Sequence, residues 1–76
     1  MDEQSQARVL VQQLSELERE ALSGLIEGES VSGLASRLSV HTVQAEGILD
    51  SIKRKLGVTR TASAVRIGLM AEAAPR

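Results

Sequence analysis

The stretch Leu38-Ser39-Val40-His41-Thr42-Val43-Gln44-Ala45-Glu46-Gly47-Ile48-Leu49-Asp50-Ser51-Ile52-Lys53-Arg54-Lys55-Leu56 decides how this chain is read. Ala45, Ile48, Leu49, Ile52 and Leu56 recur at the three- and four-residue intervals that put side chains on one side of an α-helix. The stripe begins only after Ser39-Val40-His41, so the segment predicts a turn and then a helix from about Thr42 to Leu56. Gly57 with Val58 closes that helix, the glycine taking the left-handed backbone of a Schellman-type end.

The same logic extends outward. Ser15 can cap a helix, and Glu18, three residues later, can reach back to its amide. Leu17, Ala21, Leu22, Leu25 and Ile26 then share one helical face; Gly24 weakens the middle and Gly28 is a natural left-handed stop. Ser30 caps a second, short helix with Val31, Leu34, Ala35 and Leu38 inward. After Thr59-Arg60-Thr61, a last helix is expected to carry Ala64, Val65, Gly68 and Leu69 on one side, Val65 and Leu69 facing the core, with Ile67 and Met70 partly off that face at or near the surface. Residues 1–13 are polar apart from Val9, Leu10 and Val11, and read as a frayed end or a short leading helix; Ala73-Ala74-Pro75-Arg76 end the chain. The expected core is Leu22, Ile26, Leu34, Leu38, Val40, Ile48 or Leu49, Ile52, Leu56 and Val65.

Composition narrows the function. At 76 residues the chain holds one domain and a modest core. It has no Cys, so disulfides, thiol chemistry and cysteine zinc sites are excluded, and no Phe, Tyr or Trp on which single-stranded bases could stack. No apolar run approaches a membrane span, and Met1-Asp2-Glu3-Gln4 lacks the apolar core of a signal peptide, which points to a reducing, bacterial-type cytoplasm. His41 is the sole histidine and stands at a turn, the glycines are dispersed, and the carboxylates sit mostly at helix starts and on exposed faces. Nothing in this pattern suggests an enzyme, a cofactor or a metal site. The net charge of −1 is unevenly spread: residues 1–36 hold two basic against seven acidic side chains, and residues 37–76 seven against three. A basic second half fits a polyanion, although a mixed-sign solvated surface accounts for it equally simply.

Leu14-Ser15-Glu16-Leu17-Glu18-Arg19-Glu20-Ala21-Leu22, Gly28, Leu34-Ala35, Leu38 with Val40, Lys55-Leu56-Gly57-Val58 and Ala64-Val65 follow one another at the spacing of a known family, without a gap. The chain resembles the LuxR/FixJ/NarL-type (GerE-like) DNA-binding domain over roughly three quarters of its length. The resemblance implies an all-α, four-helix bundle in residues 14–73, with a helix-turn-helix over about 31–50, an N-terminal extension over 1–13 and a tail over 74–76.

It also implies a transcriptional regulator that binds double-stranded DNA, the helix from Thr42 entering the major groove. The expected DNA-facing residues are Ser30, Ser32, Thr42, Val43, Gln44, Glu46 and Gly47, with Lys53 and Arg54 reaching phosphates. Gln44 could pair twice with adenine, Glu46 could accept from cytosine N4, and Arg54 could pair with Asp50. A weak homodimer through Ile67 and Met70 is implied, since the last helix is a common dimer contact in the family. Members usually carry a sensor or receiver domain ahead of this one. If the chain is complete, it is expected to have no signal input of its own and to be regulated by partners, expression level or dimerisation.

The recognition helix departs from the family. His41 stands for its Ser, Gln44-Ala45-Glu46 for its Thr-Val-Lys, Ile48 for its His, and Val31-Ser32-Gly33 for its Asn-Lys-Glu. A gapped alignment would instead put Thr42-Val43 on the Thr-Val. An acidic residue where a basic one is usual opens a second expectation: a degenerate helix-turn-helix that serves protein–protein interaction.

Overall fold

The computed structural model describes residues 3–72, which excludes the tail over 74–76. Five helices run along it, α1 (Glu3–Gln12), α2 (Glu16–Ile26), α3 (Val31–Leu38), α4 (Thr42–Leu56) and α5 (Thr61–Glu72), with no strand among the described residues. The all-helical reading holds, with one helix more than the resemblance implied.

The added helix is α1. It buries Ala7 and leads into the buried Leu14, with Leu10 and Val11 packed at the edge of the core. Ala7, Leu10, Val11 and Leu14 form a helical stripe that crosses from the polar N-terminal stretch into the next motif. This stripe packs α1 along α5, so residues 3–12 are part of the bundle.

The caps are as the local chemistry demands. The Ser15 hydroxyl accepts from the Glu18 amide at 3.1 Å while Glu18 accepts from the Ser15 amide at 2.8 Å, a complete capping box. Gly28 (φ 90°) and Gly57 (φ 72°) adopt the left-handed backbone that stops α2 and α4. At the end of α4 the Val58 amide donates to the Lys53 carbonyl at 2.9 Å. Gly24, which weakens α2 by propensity, allows a close approach: a Cβ there would lie 2.5 Å from Leu34 Cδ2 on α3.

The core joins Leu14, Ala21, Leu22, Leu34, Leu49, Ile52, Leu56 and Ala64, with Leu34 and Ile52 fully buried. Leu25, Ile26, Val31, Leu38, Ile48, Val58 and Ile67 pack against its margin. Three expectations are corrected. Leu17 is 44% exposed, because Glu18 takes the inward position in the first turn of α2. Of the expected inward side of α5, Ala64 and Gly68 are buried, but Leu69 is 49% exposed and Val65 only half-buried. The reason is steric: a Cβ on Gly68 would lie 2.9 Å from Ile26 Cδ1 and 3.1 Å from Leu22 Cδ2, so α5 meets α2 along its smallest residues. Finally, Ile67, expected at or near the surface, is partly buried against the margin of the core.

Candidate functional site

α4 has two sides. Ala45, Leu49, Ile52 and Leu56 are buried, and the opposite line is Val43, Gly47, Asp50 and Arg54, all exposed, with Thr42 and Glu46 exposed beside it. Val43 is 76% exposed, the most of any large apolar side chain described. Nothing lies within 4 Å of the point where a Gly47 Cβ would stand.

The connection to α3 fixes how this face is presented. Ser39 caps α3 in the left-handed conformation (φ 57°), and the Val40 amide donates back to the Ala35 carbonyl at 2.9 Å. Two residues later His41 opens α4, its amide donating to Gln44 Oε1 at 3.0 Å. The Gln44 carbonyl oxygen is therefore turned back to the helix start, and the amide does not offer adenine both of its polar atoms in this conformation. Ser30 is engaged in the same way, its hydroxyl accepting from the Gly33 amide at 3.1 Å, while Ser32 is exposed on the first turn of α3.

Lys53, expected to reach a phosphate, is half-buried and lies 3.6 Å from Asp50; the Asp50 pairing expected of Arg54 falls to Lys53 instead. Arg54 is exposed and forms no ion pair among the described residues.

Two ionic centres that no local motif signalled hold the elements together. Glu18, 7% exposed, accepts from Lys55 Nζ at 2.7 Å and from the Ser51 hydroxyl at 2.5 Å besides the Ser15 amide. Burial pushes its carboxyl up, but the Lys55, Ser51 and Ser15 hydrogen bonds outweigh that and hold it at about 2. Arg37 on α3 meets Glu20 at 2.8 Å, Glu27 at 3.2 Å and Glu29 at 2.9 Å. The Glu20 hydrogen bond leads those that raise its guanidinium above the usual arginine range.

These contacts change the meaning of the charge asymmetry. Arg37 and Lys55, counted in the basic half of the chain, are neutralised by carboxylates of the acidic half. Of the described cations after residue 36, Arg54, Arg60 and Arg66 remain outside any described ion pair.

α1 and α5 border a groove of about 440 Å³. Ala7, Leu10, Val58, Ile67 and Met70 line it, with Glu3, Gln6, Ser63 and Arg66 at its polar edge. The two expected dimer residues thus meet in one groove. Among the described residues no group of three or more His, Asp or Glu is placed to hold a metal ion, and no helix is long and apolar enough to cross a membrane.

Against family models, curated proteins and solved structures, the chain finds no match.

Proposed function

We propose that this chain is a DNA-binding transcriptional regulator in which α3, the 39–41 turn and α4 act as a helix-turn-helix, α4 entering the major groove. One observation carries the reading: the whole outer side of α4, from Thr42 to Arg54, is open, while its inner side is anchored in the core and its two ends are capped. A major groove about 12 Å wide takes one helix presented in this way. The order of motifs shared with LuxR/FixJ/NarL-type domains supports the same use of the helix. Arg54 and Arg60 are the side chains available to phosphates at the far end of α4 and just beyond it. A weak homodimer built on α5, with Met70 and Ile67 in the groove and Leu69 exposed beside them, would place two copies of α4 on a two-fold-related site.

A second reading has its own observation. Glu46 and Asp50 stand exposed on the same side of α4, and carboxylates there repel phosphates. That favours a degenerate helix-turn-helix whose open helix meets a protein partner.

Titration of the chain with mixed-sequence duplex DNA at two salt concentrations separates them. Phosphate contacts release counterions, so DNA binding is expected at low salt and must weaken steeply as salt rises. Absence of binding to any duplex at low salt leaves the second reading.

A further inference from the structure

The open side of α4 has an uneven chemistry. Between Val43 and Asp50 it offers the methyls of Val43 and the carboxylates of Glu46 and Asp50, and no cation. The nearby Ser51 hydroxyl donates to Glu18, and the Gln44 carbonyl oxygen accepts at the helix start. The face therefore accepts hydrogen bonds through its carboxylates and makes apolar contact, the Gln44 NH2 being the one donor at its edge between these residues.

Base edges in the major groove answer to such a face selectively. Guanine shows two acceptors and repels a carboxylate. Adenine offers its amino group beside the N7 acceptor, which opposes the same carboxylate. Cytosine presents an amino donor and no acceptor of its own, the neighbouring O6 belonging to its guanine partner, and thymine presents a methyl beside its O4. Glu46 is thus matched to cytosine and Val43 to thymine. The two residues are three apart, about 4.5 Å along the helix axis, close to the roughly 3.4 Å step between bases on one strand. Gly47, one turn after Val43 and next to Glu46, has open space where a side chain would be and leaves the α4 backbone free to come close to the groove there. Arg54, on the line of Val43 and Gly47, stands about 16 Å beyond Val43 along the axis, where the helix leaves the groove and a phosphate is in reach.

We propose that α4 selects a cytosine adjacent to a thymine in duplex DNA, Glu46 accepting from cytosine N4 and Val43 packing on the thymine methyl. The proposal rests on the DNA-binding reading above and names the bases that reading leaves open.

The test is selection from a randomised duplex pool by the wild-type chain, followed by titration of the enriched duplex. The pool is expected to be enriched in a cytosine–thymine step. Uracil in place of that thymine removes only the methyl; it should weaken the wild type roughly threefold and leave Val43→Ala indifferent. Glu46→Gln should move the preference at the neighbouring base from cytosine toward adenine, by about tenfold in relative affinity. Both positions are exposed, so equal melting curves of the variants exclude misfolding as the cause. A motif without the step, or uracil tolerated by the wild type, overturns this inference and leaves DNA binding standing. No binding to any duplex at low salt removes the DNA-binding reading and this one with it, and leaves a protein partner for the face.

Discussion

Lys55 Nζ lies 2.7 Å from the Glu18 carboxylate, although 37 positions separate the two residues. The contact ties the last turn of α4 to the first turn of α2, and Ser51, one turn earlier, adds a second tie to the same carboxylate. A cap that would be local in an isolated helix has here become the polar joint between two helices. It also holds the buried face of α4 in place, and therefore aims the open face.

The joint should be visible as a pH dependence. The Glu18 carboxyl is near 4.5 when unperturbed and about 2 in the fold, so the native state favours its charged form. Its contribution is complete above about pH 4.5 and is lost as the pH falls from there towards 2. Glu18→Gln should lower stability by roughly 2–3 kcal/mol at neutral pH, after allowance for the partly exposed Lys55. Denaturant midpoints of wild type and variant measured across this range should converge at the acid end. Equal stability at neutral pH would show that the joint contributes nothing net.

Core truncations distinguish the two apolar faces of the last helices. Ile52 is fully buried, and Ile52→Ala should cost about 2–5 kcal/mol, a large part of what so small a domain has. Val65 is only half-buried, and Val65→Ala should cost less than about 1 kcal/mol. Urea melts of the pair check this; equal losses would mean that α5 is turned so that Val65 faces the core.

Two of the three left-handed helix ends, Ser39 and Gly57, should respond in opposite directions. Ser39 holds φ 57° with a side chain, so Ser39→Gly should stabilise by up to about 1 kcal/mol as the strain at the turn is relieved. Gly57 holds φ 72° with nothing within 4 Å of a Cβ, so Gly57→Ala should destabilise by about 1 kcal/mol through strain alone. Thermal melts of the two variants would show any failure of this opposition.

What could be read from the sequence was local. The Ser15–Glu18 box, the glycine stops and the Ala45–Leu49–Ile52–Leu56 stripe each depend on residues a few positions apart, where helical geometry alone decides the neighbours. The inward face of α5 was legible only in Ala64 and Gly68, because Ala64, Val65, Ile67, Gly68 and Leu69 are all apolar and supply more than one face. Only the close approach of Ile26 and Leu22 to Gly68 selects among them. The Arg37 cluster was hidden for another reason: its partners lie 8, 10 and 17 positions away, beyond any spacing that one helix can bring together. At the candidate site the exposure of Val43, Glu46 and Gly47 follows from the stripe, but the diversion of Gln44 to the helix start depends on where the turn ends.

Gly47→Ala separates folding from use of the α4 face. Glycine in the middle of an exposed helix is less favourable than alanine by about 1 kcal/mol, and an added methyl meets no neighbour. The variant should therefore melt higher. If DNA approaches the backbone at this point, the same methyl should weaken duplex binding several-fold, about 1 kcal/mol. Higher stability with unchanged affinity would mean that no ligand comes close to Gly47.

Glu46→Lys tests the charge on that face. Glu46 is exposed on the open side of α4, one turn before Asp50, and the substitution changes the local charge by two units without touching the core. In the groove-entering orientation it replaces repulsion of phosphates with attraction, so affinity for mixed-sequence duplex should rise and its salt dependence should steepen by about one counterion. A protein that reads cytosine through Glu46 should at the same time lose discrimination on its selected site, because an ammonium donates where the carboxylate accepted. The two effects are separable by titrating selected and mixed duplexes at the same two salt concentrations. If neither affinity nor salt slope moves, Glu46 does not face DNA, and α4 is not the element that docks.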